Sequence, residues 1–324
     1  MEKFMKYFML VLFASAVMLA GCSDDDDDNQ PTTPVTSTYD LLKDYLISNN
    51  MDADNIIADW ITSAEGVFTT GVENFYIIDI RGEADFQAGH IEGAVNSTLG
   101  NILTTAEAAN GKPIIVVCYT GQTAGHAVMA LRLSGYADAK VMKWGMSGWN
   151  QATSAPWTNN TGDAAIGHAN WVAAPGNITP NAEFAYPVLQ SSSQDGATIL
   201  AERVAALLGG GFNGITNADV LASPANYFIN NYWAEGDVEH YGHIAGAYRI
   251  LPFTLKDGND KNLDASKAVV TYCWTGQTSS MMTAYLKVLG YDAKSLLFGA
   301  NGLIYSNLES HQYMGAADYP LVTK

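Results

Sequence analysis

Cysteine is scarce. The 324-residue chain has three, Cys22, Cys118 and Cys273, too few for the dense cross-linking that stabilises small secreted domains, so a disulfide scaffold is excluded. Basic residues are also few: 16 Lys and Arg stand against 33 Asp and Glu, for a net charge of −17. Nucleic-acid binding needs a basic footprint, which this chain lacks. Beyond the N-terminal segment no apolar run reaches the roughly 20 residues that a membrane span requires. His126, His168, His240 and His311 show no ligand spacing, so neither a metal site nor a cofactor is implied. Apolar content is ample at 48%, with 17 Tyr and 7 Trp. That supports well-filled cores, and the length suits two domains of about 100–200 residues each.

The chain opens with a short basic stretch, Met1 to Lys6, and an apolar run from Tyr7 to about Ala20. The run is short for a span and its charged start suits a removed secretory leader. It closes on Leu19-Ala20-Gly21-Cys22, which resembles the lipobox of bacterial lipoproteins. That resemblance implies acylation of Cys22 and a membrane anchor on the mature chain; a leader with an incidental cysteine is the plainer alternative. Asp24 to Asp28 form a block of like charge that stays solvated, and Pro31 and Pro34 continue the tether. The Ser-Asp tract also resembles the tag that sends some Gram-negative lipoproteins to the cell surface. The expected location is the cell envelope, at the outer membrane, on its periplasmic or surface face.

The body of the chain is a duplication. Lys112-Pro-Ile-Ile-Val-Val-Cys118-Tyr-Thr-Gly-Gln-Thr123 matches Lys267-Ala-Val-Val-Thr-Tyr-Cys273-Trp-Thr-Gly-Gln-Thr278. The two cysteines stand about one domain length apart. Both motifs are followed by a helical pattern ending in Gly-Tyr, at Tyr136 and Tyr291, then by Gly-rich turns at 143–148 and 297–302. Upstream, Ala88-Gly-His-Ile-Glu-Gly-Ala94 matches Tyr241-Gly-His-Ile-Ala-Gly-Ala247. Four matched blocks in one order argue for two copies of one unit.

Short β-branched runs at 75–80 and 113–118 suit buried strands of a parallel sheet. Residues 123–134, 41–61 and 197–208 carry helical spacing. Strands alternating with helices predict an α/β fold. The expected organisation is a leader at 1–21, a tether at 22–38, a first domain at 39–156, a connection at 157–194 and a second domain at 195–324. The connection is long enough that part of it is expected to wrap across the domains.

Each motif sets a cysteine at the end of an apolar strand, before a five-residue turn and a helix. The first turn is Tyr119, Thr120, Gly121, Gln122 and Thr123; the second is Trp274, Thr275, Gly276, Gln277 and Thr278. Glycine permits the tight curve that aims backbone N–H groups at the sulfur, and the helix N-terminus adds its positive end. Both effects favour the nucleophilic thiolate and would hold an anionic persulfide.

Cys-x-x-Gly-x-Thr after a strand, preceded by Asp79-Ile-Arg81 and Gly89-His-Ile-Glu-Gly-Ala94, resembles the rhodanese superfamily. The resemblance covers nearly the whole chain beyond the tether, as a tandem. It implies two rhodanese-like domains, each a small parallel sheet flanked by helices. It further implies a sulfurtransferase in which Cys118 and Cys273 carry sulfane sulfur from a small donor to a nucleophilic acceptor. Ending the loop in Thr123 and Thr278 is similar to the tandem thiosulfate and mercaptopyruvate sulfurtransferases. Thiosulfate-using members carry basic residues just after the cysteine, where this chain has Tyr119-Thr120 and Trp274-Thr275, so a dianionic donor loses charge-assisted hydrogen bonds. The second half sets Ile229-Asn-Asn231 where the first has Asp79-Ile-Arg81, so the first site is the more complete.

Plainer roles stand beside these. A cysteine at a strand end is often a small buried hydrophobe. His90 and His243 suit a structural turn better than catalysis, Asp79 and Arg81 a domain-shaping ion pair, and Met281 and Met282 the core. Tyr119, Trp144 and Trp274 are candidates to line a donor pocket. Two other functions follow from different premises: a non-catalytic binding module that uses the loop to hold an anion or a partner, and a redox role through a Cys118–Cys273 bridge. Phosphatase chemistry is disfavoured, since Ala124 and Ser279 stand where a phosphate-binding arginine would be needed.

Overall fold

β-Branched runs buried on both faces build the two sheets of the computed structural model, which describes residues 36–323. The strands are β1 (Ile61–Thr62), β2 (Tyr76–Asp79), β3 (Val95–Asn96), β4 (Ile114–Val117), β5 (Lys140–Met142), β6 (Trp171–Val172), β7 (Gly214–Ile215), β8 (Tyr227–Asn231), β9 (His243–Ile244), β10 (Ala268–Tyr272) and β11 (Ala293–Leu296). The first sheet has the order β1-β5-β4-β2-β3 and the second β7-β11-β10-β8. All pairings within these two sheets are parallel. The second repeats the first strand for strand, except that β3 is reduced there to bridges from Tyr248 to β8. The mixed α/β class and the tandem of flanked parallel sheets are as the sequence predicts. The predicted leader, Cys22 and the tether up to residue 35 lie outside the described residues.

Helices Gln122–Leu133 and Gln277–Val288, one from each half, pack against each other and are buried nearly all round. Each faces its own sheet on one side and the other half's helix on the other, so a one-sided apolar stripe is not required. Small residues allow the close approach. A methyl group on Gly125 would lie 2.1 Å from Ser280 Oγ and 3.1 Å from the Gln277 carbonyl.

Each half is also held by a strap from the other. Past the first half, β6 pairs antiparallel with β9, joining Val172 to His243, and Ala165 N–H donates to the Leu303 carbonyl at 2.9 Å. Past the second half, His90 bridges Val322, and Tyr319 N–H donates to the Trp149 carbonyl at 2.8 Å. The connection therefore wraps across the second half, and the C-terminal segment wraps the first in the same way.

One predicted helix is corrected. Residues 41–61 do not form a single helix; they divide into Thr38–Ser48, a turn of helix at Ala53–Ile56, and β1. Asn50 takes φ 58°, and Asp52 caps the second piece at Ala53 N. Asparagine tolerates the left-handed region and aspartate competes for backbone N–H groups, so both break a helix that apolar spacing alone would continue. Asp52 also accepts from Leu255 N at 2.7 Å and Lys256 N at 3.0 Å, tying this break to the second half.

Candidate active site

Cys118 follows β4 at the carboxyl edge of the first sheet, where the chain turns into helix Gln122–Leu133. Its Sγ accepts from Gly121 N–H at 3.1 Å and Ala124 N–H at 3.4 Å. Gly121 has φ 82°, open to glycine at little cost, and this bends the turn so that its amides converge on sulfur. A second turn supports the loop from behind. Met146 N–H donates to the Cys118 carbonyl and Ser147 N–H to that of Tyr119. Gly145 makes this possible, because a methyl group there would lie 2.4 Å from the Cys118 carbonyl oxygen.

Cys118 is 3% exposed. Burial pushes its pKa up, and the negative charge of Asp79 adds to that, against the downward pull of the Ala124, Thr120 and Gly121 amides. The loop amides pull the pKa down as their placement predicts, but burial outweighs them. The cradle is therefore a site whose amides stabilise an anion once one forms at the sulfur.

Asp79 and Arg81 form a buried bidentate pair, with Arg81 Nη2 2.6 Å from Asp79 Oδ2. Arg81 Nη2 also donates to the Gly89 carbonyl at 2.7 Å. The guanidinium is spent on fixing the turn before His90 and does not reach the sulfur. His90 Nδ1 bonds to the Phe86 carbonyl at 2.8 Å, a local role. At the mouth, the half-exposed Tyr119 donates its hydroxyl to Asp85 and accepts from Gly82 N–H.

The second loop repeats the backbone and changes the chemistry. Cys273 Sγ accepts from Ser279 N–H at 3.3 Å and lies 3.7 Å from Ser279 Oγ. Strand register corrects the pairing of the halves: Asp79 lies opposite Val117 and Asn231 opposite Tyr272, each next to its cysteine. Asn231 and Trp233 thus stand in the places of Asp79 and Arg81, two residues later than the sequence comparison set them. The error arose because no charge marks that motif in the second half. Trp233 is buried and stacks on Trp274 at 4.5 Å, and His311 stacks on Trp274 at 5.0 Å. An aromatic sandwich thus sits beside Cys273 where the first half has an ion pair and a tyrosine. Trp144 packs edge-on against Trp157 and Tyr313. Met281 and Met282 are core residues.

Not every predicted loop residue serves its own sulfur. Thr123 and Thr278 lie in the first turn of the helices without bonding to the cysteines, and Gln122 and Gln277 reach across the junction of the halves. Gln277 Nε2 donates to the Thr120 carbonyl at 3.1 Å, and Gln122 Oε1 accepts from Phe298 N–H at 2.9 Å. The sequence reading missed the amides of Ala124 and Ser279, the Ser279–Ser295 hydroxyl pair at 2.8 Å, and Trp157, whose Nε1 donates to the Thr120 carbonyl at 3.0 Å. Backbone donors carry no side-chain signal, and Trp157 lies in what reads as a linker. Both cysteines are free.

A profile described as Rhodanese-like domain matches residues 66–152 and 221–302, more than half of the chain. The thiosulfate sulfurtransferase GlpE of Shewanella oneidensis is 33% identical over 86 residues, 26% of this chain and 85% of that protein. The uncharacterized protein YibN of Escherichia coli is 32% identical over 93 residues, 28% of this chain; the match spans only 65% of YibN. Among solved structures, the thiosulfate sulfurtransferase of Pseudomonas aeruginosa overlaps 88% of this chain and 49% of its own, at 15% identity and a TM-score of 0.30. The 3-mercaptopyruvate sulfurtransferase of Leishmania major overlaps 77% and 75%, at 13% identity and a TM-score of 0.28.

Proposed function

This chain belongs to the rhodanese-like domain family, and on that premise we propose that it is a sulfurtransferase carrying sulfane sulfur on Cys118. The observation that carries the reading is the convergence of Gly121 N–H and Ala124 N–H on Cys118 Sγ. A thiolate formed as the donor docks attacks the donor's outer sulfur. The bond between that sulfur and the rest of the donor breaks, and its electron pair leaves with the donor fragment. The persulfide that results carries its charge beside the loop amides. A nucleophilic acceptor then attacks the outer sulfur, and the sulfur–sulfur bond breaks to return the Cys118 thiolate. No cofactor enters these steps.

The surroundings favour a donor of low charge. Among the described residues, no lysine or arginine side chain hydrogen-bonds to either loop, and Asp85 stands at the mouth of the first. Mercaptopyruvate, with one carboxylate, suits this mouth better than dianionic thiosulfate. Attachment to the envelope membrane through a lipid on Cys22 belongs to the same proposal; loss of fatty-acid labelling in Cys22→Ser would support it.

Intact-mass measurement after exposure to each donor tests the chemistry, with Cys118→Ser and Cys273→Ser alongside. A gain of one sulfur, removed by cyanide and absent in Cys118→Ser, is expected. No adduct from either donor, with both thiols reduced, would refute it and favour a binding module. A second reading concerns the second half alone. Trp233 in the arginine's place and the Trp233–Trp274–His311 stack favour a supporting role there over turnover at Cys273.

A further inference from the structure

The peptide joining Thr120 to Gly121 is engaged at both ends. Its N–H, on Gly121, donates to Cys118 Sγ at 3.1 Å. Its carbonyl, on Thr120, accepts from two donors, Trp157 Nε1 at 3.0 Å and Gln277 Nε2 at 3.1 Å. Gln277 comes from the other half of the molecule and is 1% exposed. Its amide is oriented by its partner, because a flip would set oxygen against the Thr120 oxygen. The other amide atom, Gln277 Oε1, is buried without a hydrogen-bond partner, so the side chain tolerates an unsatisfied oxygen to make this contact. Only glycine at 121 leaves room, since a methyl group there would lie 2.0 Å from Gln277 Nε2.

The reverse contact does not exist. Gln122, the counterpart of Gln277, accepts from Phe298 N–H and turns its nitrogen back to Thr120 Oγ1 at 3.1 Å. Among the described residues, no side chain donates to the Thr275 carbonyl, and Gly276 N–H does not bond to Cys273 Sγ. Each glutamine crosses the junction, but only Gln277 donates to a carbonyl of the opposite cysteine loop; Gln122 reaches the Phe298 N–H of the supporting turn instead.

We propose that Gln277 is a positioning residue for Cys118, and that the second half serves the first site in trans through it. The inference rests on the reading that Cys118 is the reacting thiol. Donation to a peptide carbonyl polarises the whole peptide, which strengthens the N–H facing sulfur. It also bars a flip of the peptide, which would turn the carbonyl oxygen toward an anionic sulfur. Gln277 touches neither donor nor sulfur; it acts through Thr120–Gly121.

The test is made on the full chain and needs no sulfur donor. The rate of Cys118 alkylation by iodoacetamide is followed against pH by peptide mass, in Gln277→Leu, Gln277→Met and Trp157→Phe, with near-ultraviolet circular dichroism confirming the fold. Loss of one cooperative donor is expected to move the Cys118 profile to higher pH and slow alkylation below its midpoint roughly three- to tenfold. Trp157→Phe keeps a ring and loses the other donor, so it must shift the profile in the same direction even if neither Gln277 variant folds. The Cys273 profile is expected to stay in place, as is that of Cys118 in Ser280→Ala, which alters the helix contact and spares both donors. An unmoved Cys118 profile in the folded variants overturns the proposal. Equal slowing at Cys273 or in Ser280→Ala also overturns it, since that means general loosening of the junction. Failure of persulfide formation, by contrast, would refute sulfur transfer and leave this result intact.

Discussion

Removing one charge of the Asp79–Arg81 pair should cost far more than removing both. The two side chains are 0% and 2% exposed, and Asp79 accepts from Arg81 at Nε, Nη2 and the backbone N–H. Arg81→Met leaves a buried carboxylate with only that backbone donor, and Asp79→Asn leaves a buried guanidinium without a counter-charge, held by the Gly89 carbonyl and a single neutral amide oxygen. Each single change is expected to cost about 3–5 kcal/mol, the usual penalty for stranding one partner of a buried pair. The double variant Asp79→Asn/Arg81→Met strands no charge. Its cost reduces to the donor lost from Gly89 and the buried amide nitrogen left without a partner, about 2–3 kcal/mol. The second half is a natural precedent, with Asn231 and Trp233 in these places. Urea unfolding of the wild type, both single variants and the double variant gives the cycle, read from midpoints at a common slope. Coupling of at least about 3 kcal/mol is expected. Simple additivity would refute the reasoning, because packing loss and not stranded charge would then dominate. Burial is the main upward push on the Cys118 thiol and remains in the double variant, while the lesser push from the Asp79 charge is removed, so its alkylation profile should move slightly to lower pH.

His126 should govern part of the acid limb of stability. Its ring is fully buried, both nitrogens lack an aligned partner, and burial pushes its pKa down to about 4 despite the nearby Leu207 backbone. The unfolded chain takes up a proton near pH 6.5 and the folded chain does not, so stability is full above that value. About 3 kcal/mol is lost as pH falls toward 4, and His126→Leu should flatten this limb; an unchanged acid limb would contradict the assignment. Deleting residues 315–324 should destabilise the first half, since Pro320 accepts from Trp149 Nε1 at 2.8 Å and Tyr319 stacks on Phe68 at 4.1 Å. A loss of about 2–4 kcal/mol and a red shift of Trp149 emission are expected; wild-type midpoint and spectrum would show that the strap is ornamental.

The sequence by itself determined the class, the duplication and the place of each cysteine. Those follow from local chemistry: β-branched runs make buried strands, glycine makes the turn, and a repeated motif makes a repeated unit. Gly121 and Gly276 were legible because a left-handed turn needs glycine whatever surrounds it. The sequence did not determine which amides reach sulfur, because backbone donors look alike at every position. Nor did it determine how the helix break at Asn50 is anchored, since Asp52 meets Leu255 N and Lys256 N about two hundred residues away. Only the tertiary structure set Trp233 against Arg81, since strand register decides equivalence where sequence offers no matching charge. Only it exchanged the straps and sent Gln277 to the other half's cysteine loop. Those contacts join residues far apart in the chain, and their energies depend on burial and direction, which exist only once the two halves have packed.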